Sequence, residues 1–196
     1  MYGTLIAIHV GLPRRHETTS AEDPRERSWY SAIYKEVVNG PVLLGETNLE
    51  GDRQADLRVH GGPNRAALCY SAEHYARWQA ELPETDWRPG MFGENFTISG
   101  LEEATVCMGD VYAIGEVRVQ VSQLRGPCFK LARRVGRPDM VERVLETGRS
   151  GWYVRVLTPG LVAARQAVVL ESREEGAPTM LAVHAASHWK SGATGG

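Results

Sequence analysis

The feature that most constrains this chain is its supply of short strand-forming runs separated by glycine. Val117, Val119 and Val121 alternate with Arg118, Gln120 and Ser122, the period-two pattern of a strand with one buried face. Val111-Tyr112-Ala113-Ile114 precedes it across Gly115-Glu116, which predicts a hairpin. Leu5 to Val10, Ala66 to Tyr70, Trp152 to Leu157 and Ala167 to Leu170 are further apolar runs of strand length. With 21 glycines in 196 residues to turn the chain, such runs favour a sandwich or a closed barrel.

Helices are fewer. Ser71 is placed to cap a helix from Ala72 to Leu82, with Tyr75, Trp78 and Leu82 on one stripe. Pro127 suits the first turn of a second helix, followed by Leu131 and Val135 at helical spacing. A third spans Asp139 to Glu146 and ends at Gly148. Strands and helices do not alternate regularly, so the expected class is mainly β (α+β), and a Rossmann plan is disfavoured. One domain over residues 1–186 is expected, with a compact body at roughly 29–171. Residues 14–28 are rich in charge and read as a partly mobile surface loop, and 187–196 as a flexible tail.

Composition narrows the function classes. Lys and Arg total 22 and Asp and Glu 24, so the basic excess expected of a nucleic-acid binder is missing. No apolar run approaches a membrane span, and the first residues lack the pattern of a signal peptide. Cys69, Cys107 and Cys128 are too few and too scattered for a disulfide framework. A reducing cytoplasm is the expected compartment, and a homodimer the expected assembly from the prevalence of symmetric pairs.

Familiar catalytic signatures are missing: no Walker lysine loop, no G-x-G-x-x-G, no paired C-x-x-C, no H-E-x-x-H and no G-x-S-x-G. Three glycine-rich polar stretches remain. They are Gly51 to Asp56 with His60-Gly61-Gly62, then Gly90-Met91-Phe92-Gly93-Glu94-Asn95, then Arg125-Gly126-Pro127-Cys128 with Lys130. At a helix N-terminus beside Arg125 and Lys130, the Cys128 thiol would be favoured as thiolate, a nucleophile or soft metal ligand. The competing reading is a small buried hydrophobe, which is the expectation for Cys69 and Cys107. His60 with two glycines suits either a phosphate cradle or a tight turn. Glu94 and Asn95 read as a pocket pair or as a turn held by Asn95. Lys130, Arg133, Arg134 and Arg137 could hold an anion, although a solvated face is the expectation for Arg134 and Arg137.

Five strings in order resemble the MOSC family, in particular its YiiM-like bacterial branch. They are Gly51-Asp52 with Gln54-Ala55-Asp56, His60-Gly61-Gly62, Gly90 to Asn95, Gly109-Asp110-Val111-Tyr112-Ala113-Ile114-Gly115, and Arg125-Gly126-Pro127-Cys128. They cover roughly residues 40–170. The resemblance implies a closed β-barrel with inserted helices and a molybdenum cofactor, a pterin whose dithiolene holds the metal. It implies Cys128 as molybdenum ligand, with Glu94 and Asn95 beside it in the catalytic pocket. His60, Gly61, Gly62, Arg125 and Lys130 become the implied cofactor contacts. It also brings pyridoxal phosphate binding, and reduction of N-hydroxylated compounds such as hydroxylaminopurines with electrons from an unidentified donor.

Two departures accompany the resemblance. Leu124 stands where the family usually has proline, and Ala164-Arg165-Gln166 where a Gly-Asp pair is common. Longer YiiM-like proteins continue into a C-terminal helical domain, for which 196 residues leave little room. Two other functions stay open on the residues alone. One is a sulfur carrier through a Cys128 persulfide, or a molybdopterin-binding module. The other is metal-free thiol catalysis with Cys128 as nucleophile and His60 as base.

Overall fold

The computed structural model describes residues 2–18, 27–55 and 61–187. The chain begins with β1 (Tyr2–Val10), β2 (Arg14–Glu17), β3 (Ser28–Ser31), β4 (Glu36–Val37) and β5 (Val42–Leu44). A 3-10 turn at Pro63–Arg65 leads into β6 (Ala67–Ser71), α1 (Ala72–Glu81) and β7 (Phe96–Ser99). Then come β8 (Val111–Ile114), β9 (Val117–Leu124), α2 (Phe129–Val135) and α3 (Met140–Thr147). The last elements are β10 (Trp152–Thr158), β11 (Gly160–Val162), β12 (Ala167–Ser172) and α4 (Met180–Ala186).

Seven strands close into a barrel in the order β1, β12, β8, β9, β10, β6, β7 and back to β1. Every pair is antiparallel except β6 with β7. Parallel neighbours need a crossover, and α1 supplies it. The fold therefore holds one β-α-β unit inside an otherwise antiparallel barrel. In β9, Val117, Val119 and Val121 are buried while the intervening residues are half-exposed, as the alternation predicts. Leu5, Ile8, Phe96, Ile98, Tyr112, Ile114, Trp152, Val154 and Val168 join them in the barrel core.

A second apolar cluster packs α1, α2 and α3 against the 90–93 loop. It contains Tyr70, Trp78, Phe92, Leu131, Met140 and Val144. Because β6 is covered on both faces, all five of its residues are buried. Gly136 and Gly148 end α2 and α3 in the left-handed conformation that glycine adopts at least cost.

Four expectations need correction. The charged stretch at 14–28 contains β2, which pairs with β3 from Arg14↔Ser31 to Glu17↔Ser28. Stacking of His16 on Tyr34, with ring centroids 4.2 Å apart, supports that hairpin where apolar alternation is lacking. The second helix starts at Phe129 rather than Pro127, leaving Cys128 extended at the N-cap with φ −138°. The body does not stop near 171: Thr179 caps α4 by accepting from the Ala182 N–H, and Met180 is fully buried. Arg134 is not on a solvated face, since its guanidinium stacks 4.7 Å from the Tyr34 ring centroid. The tail from 188 onward lies outside the described residues.

The departure at Ala164-Arg165-Gln166 leaves a mark on the backbone. Arg165 has φ +73°, and its N–H donates to the Leu5 carbonyl at 2.7 Å. A side chain in that region costs about 1–2 kcal/mol, partly offset because arginine has less unfolded-state freedom than glycine. Arg165→Gly is expected to stabilise the protein by about 0.5–1 kcal/mol, read as a raised midpoint in urea denaturation.

Candidate active-site pocket

An open pocket of about 720 Å³, including solvent at its mouth, lies where five segments converge. Ser31 to Ile33 and Lys35 form one side, and Asp52 to Ala55 with Gly61 form another. Leu68 of β6 and Tyr153 of β10 bring the barrel wall. Phe92, Gly93 and Asn95 supply the floor, while Arg125, Gly126, Cys128 and Lys130 close the ring.

The 90–95 loop is shaped from within by Glu94. That carboxylate is fully buried and accepts from the Gly90 N–H at 2.7 Å, the Phe92 N–H at 3.2 Å, the Tyr75 hydroxyl at 2.6 Å and the Thr97 hydroxyl at 2.9 Å. Glu94 therefore sits behind the pocket wall, outside the lining, and its oxygens are engaged by the protein. Gly93 is required at the contact with the opposite side. Its φ is +74°, and an added Cβ would lie 2.6 Å from Ile33 Cγ1.

Asn95 does reach the pocket, as the centre of a polar network. Its amide nitrogen donates to the His9 carbonyl at 3.1 Å and to Asp52 Oδ2 at 3.0 Å, and its oxygen accepts from the Leu68 N–H at 3.1 Å. Asp52 is buried, accepts from the Gly11 N–H at 2.8 Å and is ion-paired with Lys35. Burial pushes the Lys35 ammonium below its ordinary pKa, and the Asp52 charge opposes that shift. Burial also lowers His9, so its imidazole favours the neutral form.

Arg125 is 5% exposed, the condition under which a charge needs partners. Its Nη2 donates to the Phe92 carbonyl at 3.0 Å, yet Nη1 is buried with no hydrogen-bond partner among the described residues. Among the described residues, it joins Lys35, Arg53, Arg65 and Lys130 to give the lining five cations against one acid, Asp52. Such a wall suits an anionic ligand. Cys128 is half-buried on the same ring, whereas Cys69 and Cys107 are buried. Burial raises both of those thiols.

The structure thus brings Gly61, Asn95, Arg125, Cys128 and Lys130 together, and sets Glu94 behind them. Gly62 has φ +84° beside the lining, with open space where a Cβ would stand. His60 lies outside the described residues, as does Asp56. The arginines of the expected cluster, Arg133 and Arg134 on α2 and Arg137 beyond its end, are dispersed. Arg133 stacks on Trp29, Arg134 on Tyr34, and Arg137 pairs with Glu84 and Asp139. Sequence reading missed Lys35, Arg65 and Tyr153. Lys35 had one available signal: the chain has 3 lysines against 19 arginines.

A closed seven-stranded mixed barrel, with a half-buried cysteine on the rim of a cationic pocket, defines the class, and the chain belongs to the MOSC domain family. The family model matches residues 56–169. Among relatives, the chain is similar to the uncharacterised protein YflK of Bacillus subtilis, 46% identical over 172 residues, 88% of this chain and 75% of that one. It is 44% identical over 145 residues to protein YiiM of Escherichia coli, covering 73% of this chain and 65% of that one. The barrel is similar to the crystal structure of YiiM from Geobacillus stearothermophilus, with a TM-score of 0.74 and 32% identity. That match covers 93% of this chain and 82% of the other. A protein named reductase from Gibberella moniliformis is 40% identical over 146 residues, but the match is only 26% of its length.

Among the described residues no helix is long and apolar enough to cross a membrane. None of them gather three His, Cys, Asp or Glu side chains around a point.

Proposed function

We propose that this protein binds a molybdenum cofactor in the Cys128 pocket and reduces N-hydroxylated compounds there. The observation that carries the reading is the pairing of a half-buried thiol with a buried, incompletely partnered Arg125 in one cation-rich pocket. Both halves of the cofactor are thereby matched. Molybdenum is thiophilic, and Cys128 supplies the sulfur. The pterin's phosphate is an anion, and Arg125 Nη1, Lys130 and the positive-φ backbone at Gly61 and Gly62 offer donors without side-chain obstruction. When bound, the cofactor supplies two-electron reduction; the chain's part is to hold it, orient the substrate and deliver protons. Asn95 and Asp52 keep the floor rigid under the substrate. The electrons come from outside the pocket, and a reducing cytoplasm suits a free thiol at this position.

The test is molybdenum content after expression in a host that makes the cofactor. Wild-type protein is expected to carry near-stoichiometric metal, and Cys128→Ala to retain less than about a tenth of it, as expected for loss of a ligating sulfur. Wild-type protein free of molybdenum, and inert toward N-hydroxylated bases after incubation with free cofactor, would overturn the reading.

A further inference from the structure

The chain uses arginine for nearly all its positive charge, yet two of its three lysines, Lys35 and Lys130, line one pocket. The two residue types differ in one property that matters to chemistry. An ammonium can release its proton near neutral pH when desolvated, and a guanidinium cannot. Lys130 is the second residue of α2, whereas Lys35 is built in. Its side chain is 8% exposed and lies against the 1% exposed carboxylate of Asp52. An ammonium has three donors, and Asp52 accounts for one. The Asp52 oxygens are already taken by the Gly11 N–H and the Asn95 amide. Among the described residues Asp52 is the one acceptor that Lys35 Nζ meets, and the side chain is part of the pocket lining.

We infer that Lys35 is the proton donor to the oxygen that leaves the substrate, with Asp52 as the residue that positions it. This inference rests on the reductase reading above. The overall change is R–NH–OH + 2 e⁻ + 2 H⁺ → R–NH2 + H2O. The N–O bond breaks and its electron pair departs with oxygen. One proton passes from Lys35 Nζ to that oxygen, which leaves as water. The nitrogen receives a new electron pair, supplied in the reading above by the reduced molybdenum cofactor, and the second proton from solvent. Neutral Lys35 then recovers a proton from water at the pocket mouth, while Asp52 stays a carboxylate throughout.

The surroundings suit an acid of this kind. Burial weakens the hold of Lys35 on its proton, while Asp52 and Glu94 restrain the shift. Arg53 and Arg125 line the same pocket, and the charge of Lys35 adds to burial in keeping His9 neutral. A carboxylic acid that gave up its proton would leave a second negative charge beside Asp52, whereas lysine becomes neutral, and arginine would hold its proton. Lysine is the residue type that meets both conditions.

The experiment uses the metal-loaded full chain with N-hydroxylated adenine as probe and a reduced low-potential dye as electron source. Lys35→Arg keeps the positive charge and the Asp52 partner but holds its proton. It is expected to lower kcat by about 10- to 100-fold with KM within about threefold, and to remove the alkaline limb of the wild-type pH profile. Molybdenum content and melting temperature should stay near wild type. Lys35→Met should show the same loss of kcat, so a change peculiar to the arginine side chain is separated from loss of the acid. Independently of turnover, nuclear magnetic resonance of protein labelled at lysine Cε should give three resolvable signals. The one missing from Lys35→Arg should titrate below the ordinary lysine range. Wild-type kcat and an unchanged alkaline limb in Lys35→Arg would overturn the role while leaving the reductase reading intact. Absence of turnover in loaded wild-type protein would overturn both, and a Lys35 signal titrating like free lysine would overturn the role alone.

Discussion

Asp110→Ala is expected to destabilise the protein by about 3 kcal/mol, a fall in melting temperature of roughly 6–12 °C for a chain of this size. Asp110 is fully buried at the entrance to β8. Its carboxylate accepts from Arg173 Nε at 2.7 Å and Nη2 at 2.6 Å, from the Cys107 N–H at 2.8 Å and from the Tyr112 hydroxyl at 3.1 Å. Arg173 follows β12 and also donates to the Thr105 carbonyl at 2.8 Å. One side chain thus ties the loop before β8 to the end of β12. The carboxylate holds the Arg173 guanidinium well above the ordinary arginine range. Removing it leaves a backbone N–H and a hydroxyl unsatisfied and the guanidinium without its fork partner. The loss stays near the lower end for a buried pair because 30% of the Arg173 side chain remains in solvent and can hydrate. Denaturant melts of Asp110→Ala, Arg173→Met and the double variant measure the pair directly. A double variant more stable than Asp110→Ala alone would show that the stranded cation is much of the cost.

The barrel was legible because its strands carry physical signals that need no partner to be read. Val117, Val119 and Val121 alternate, Gly115 turns the hairpin, and Trp152 to Leu157 is apolar over a strand's length. Short or polar strands were not. β4 has two residues, β5 and β11 have three each, and β2 is Arg-Arg-His-Glu. Their hydrogen bonds come from neighbours distant in sequence; β2 and β4 bury no residue, and β5 and β11, which bury Val42, Leu44 and Val162, are too short for a period to be read. The α2 boundary moved for a related reason. Proline suits a first turn but does not compel one, and Cys128 is held extended where the chain enters the pocket.

The site was legible as a set of strings but not as a division of labour. Adjacent residues Glu94 and Asn95 look alike in sequence, yet one faces inward to the loop and the other to the pocket. Lys35 lies before the strings that carried the resemblance, and only its rarity as a lysine marked it. Its burial and its bond to Asp52 depend on β1 and on residue 52, remote in sequence, meeting beside it.

Glu94→Ala is expected to be the more damaging of the two core-carboxylate changes, at about 4–5 kcal/mol and roughly 8–20 °C in melting temperature. Four donors converge on this carboxylate, two of them backbone N–H groups of the loop that forms the pocket floor. The hydroxyls of Tyr75 and Thr97 can turn toward other acceptors, but the Gly90 and Phe92 N–H groups are fixed by the backbone and would be stranded. Glu94→Gln separates structure from chemistry. Placing the amide oxygen where Oε1 stands preserves the bonds to Gly90, Tyr75 and Thr97. The amide nitrogen then faces the Phe92 N–H, donor against donor, so this variant should lose about 2 kcal/mol. In both variants Phe92 and Gly93 shift, and the Phe92 carbonyl shifts with them. That carbonyl accepts from Arg125 Nη2, so the cation-rich wall loosens as well. Molybdenum content should therefore fall along with stability. A Glu94 that acted on substrate would behave otherwise. Its glutamine variant would melt within about 2 °C of wild type, since no buried donor would be stranded, and only kcat would fall. Thermal melts and metal analysis on the same preparations decide between a carboxylate that builds the pocket and one that works inside it.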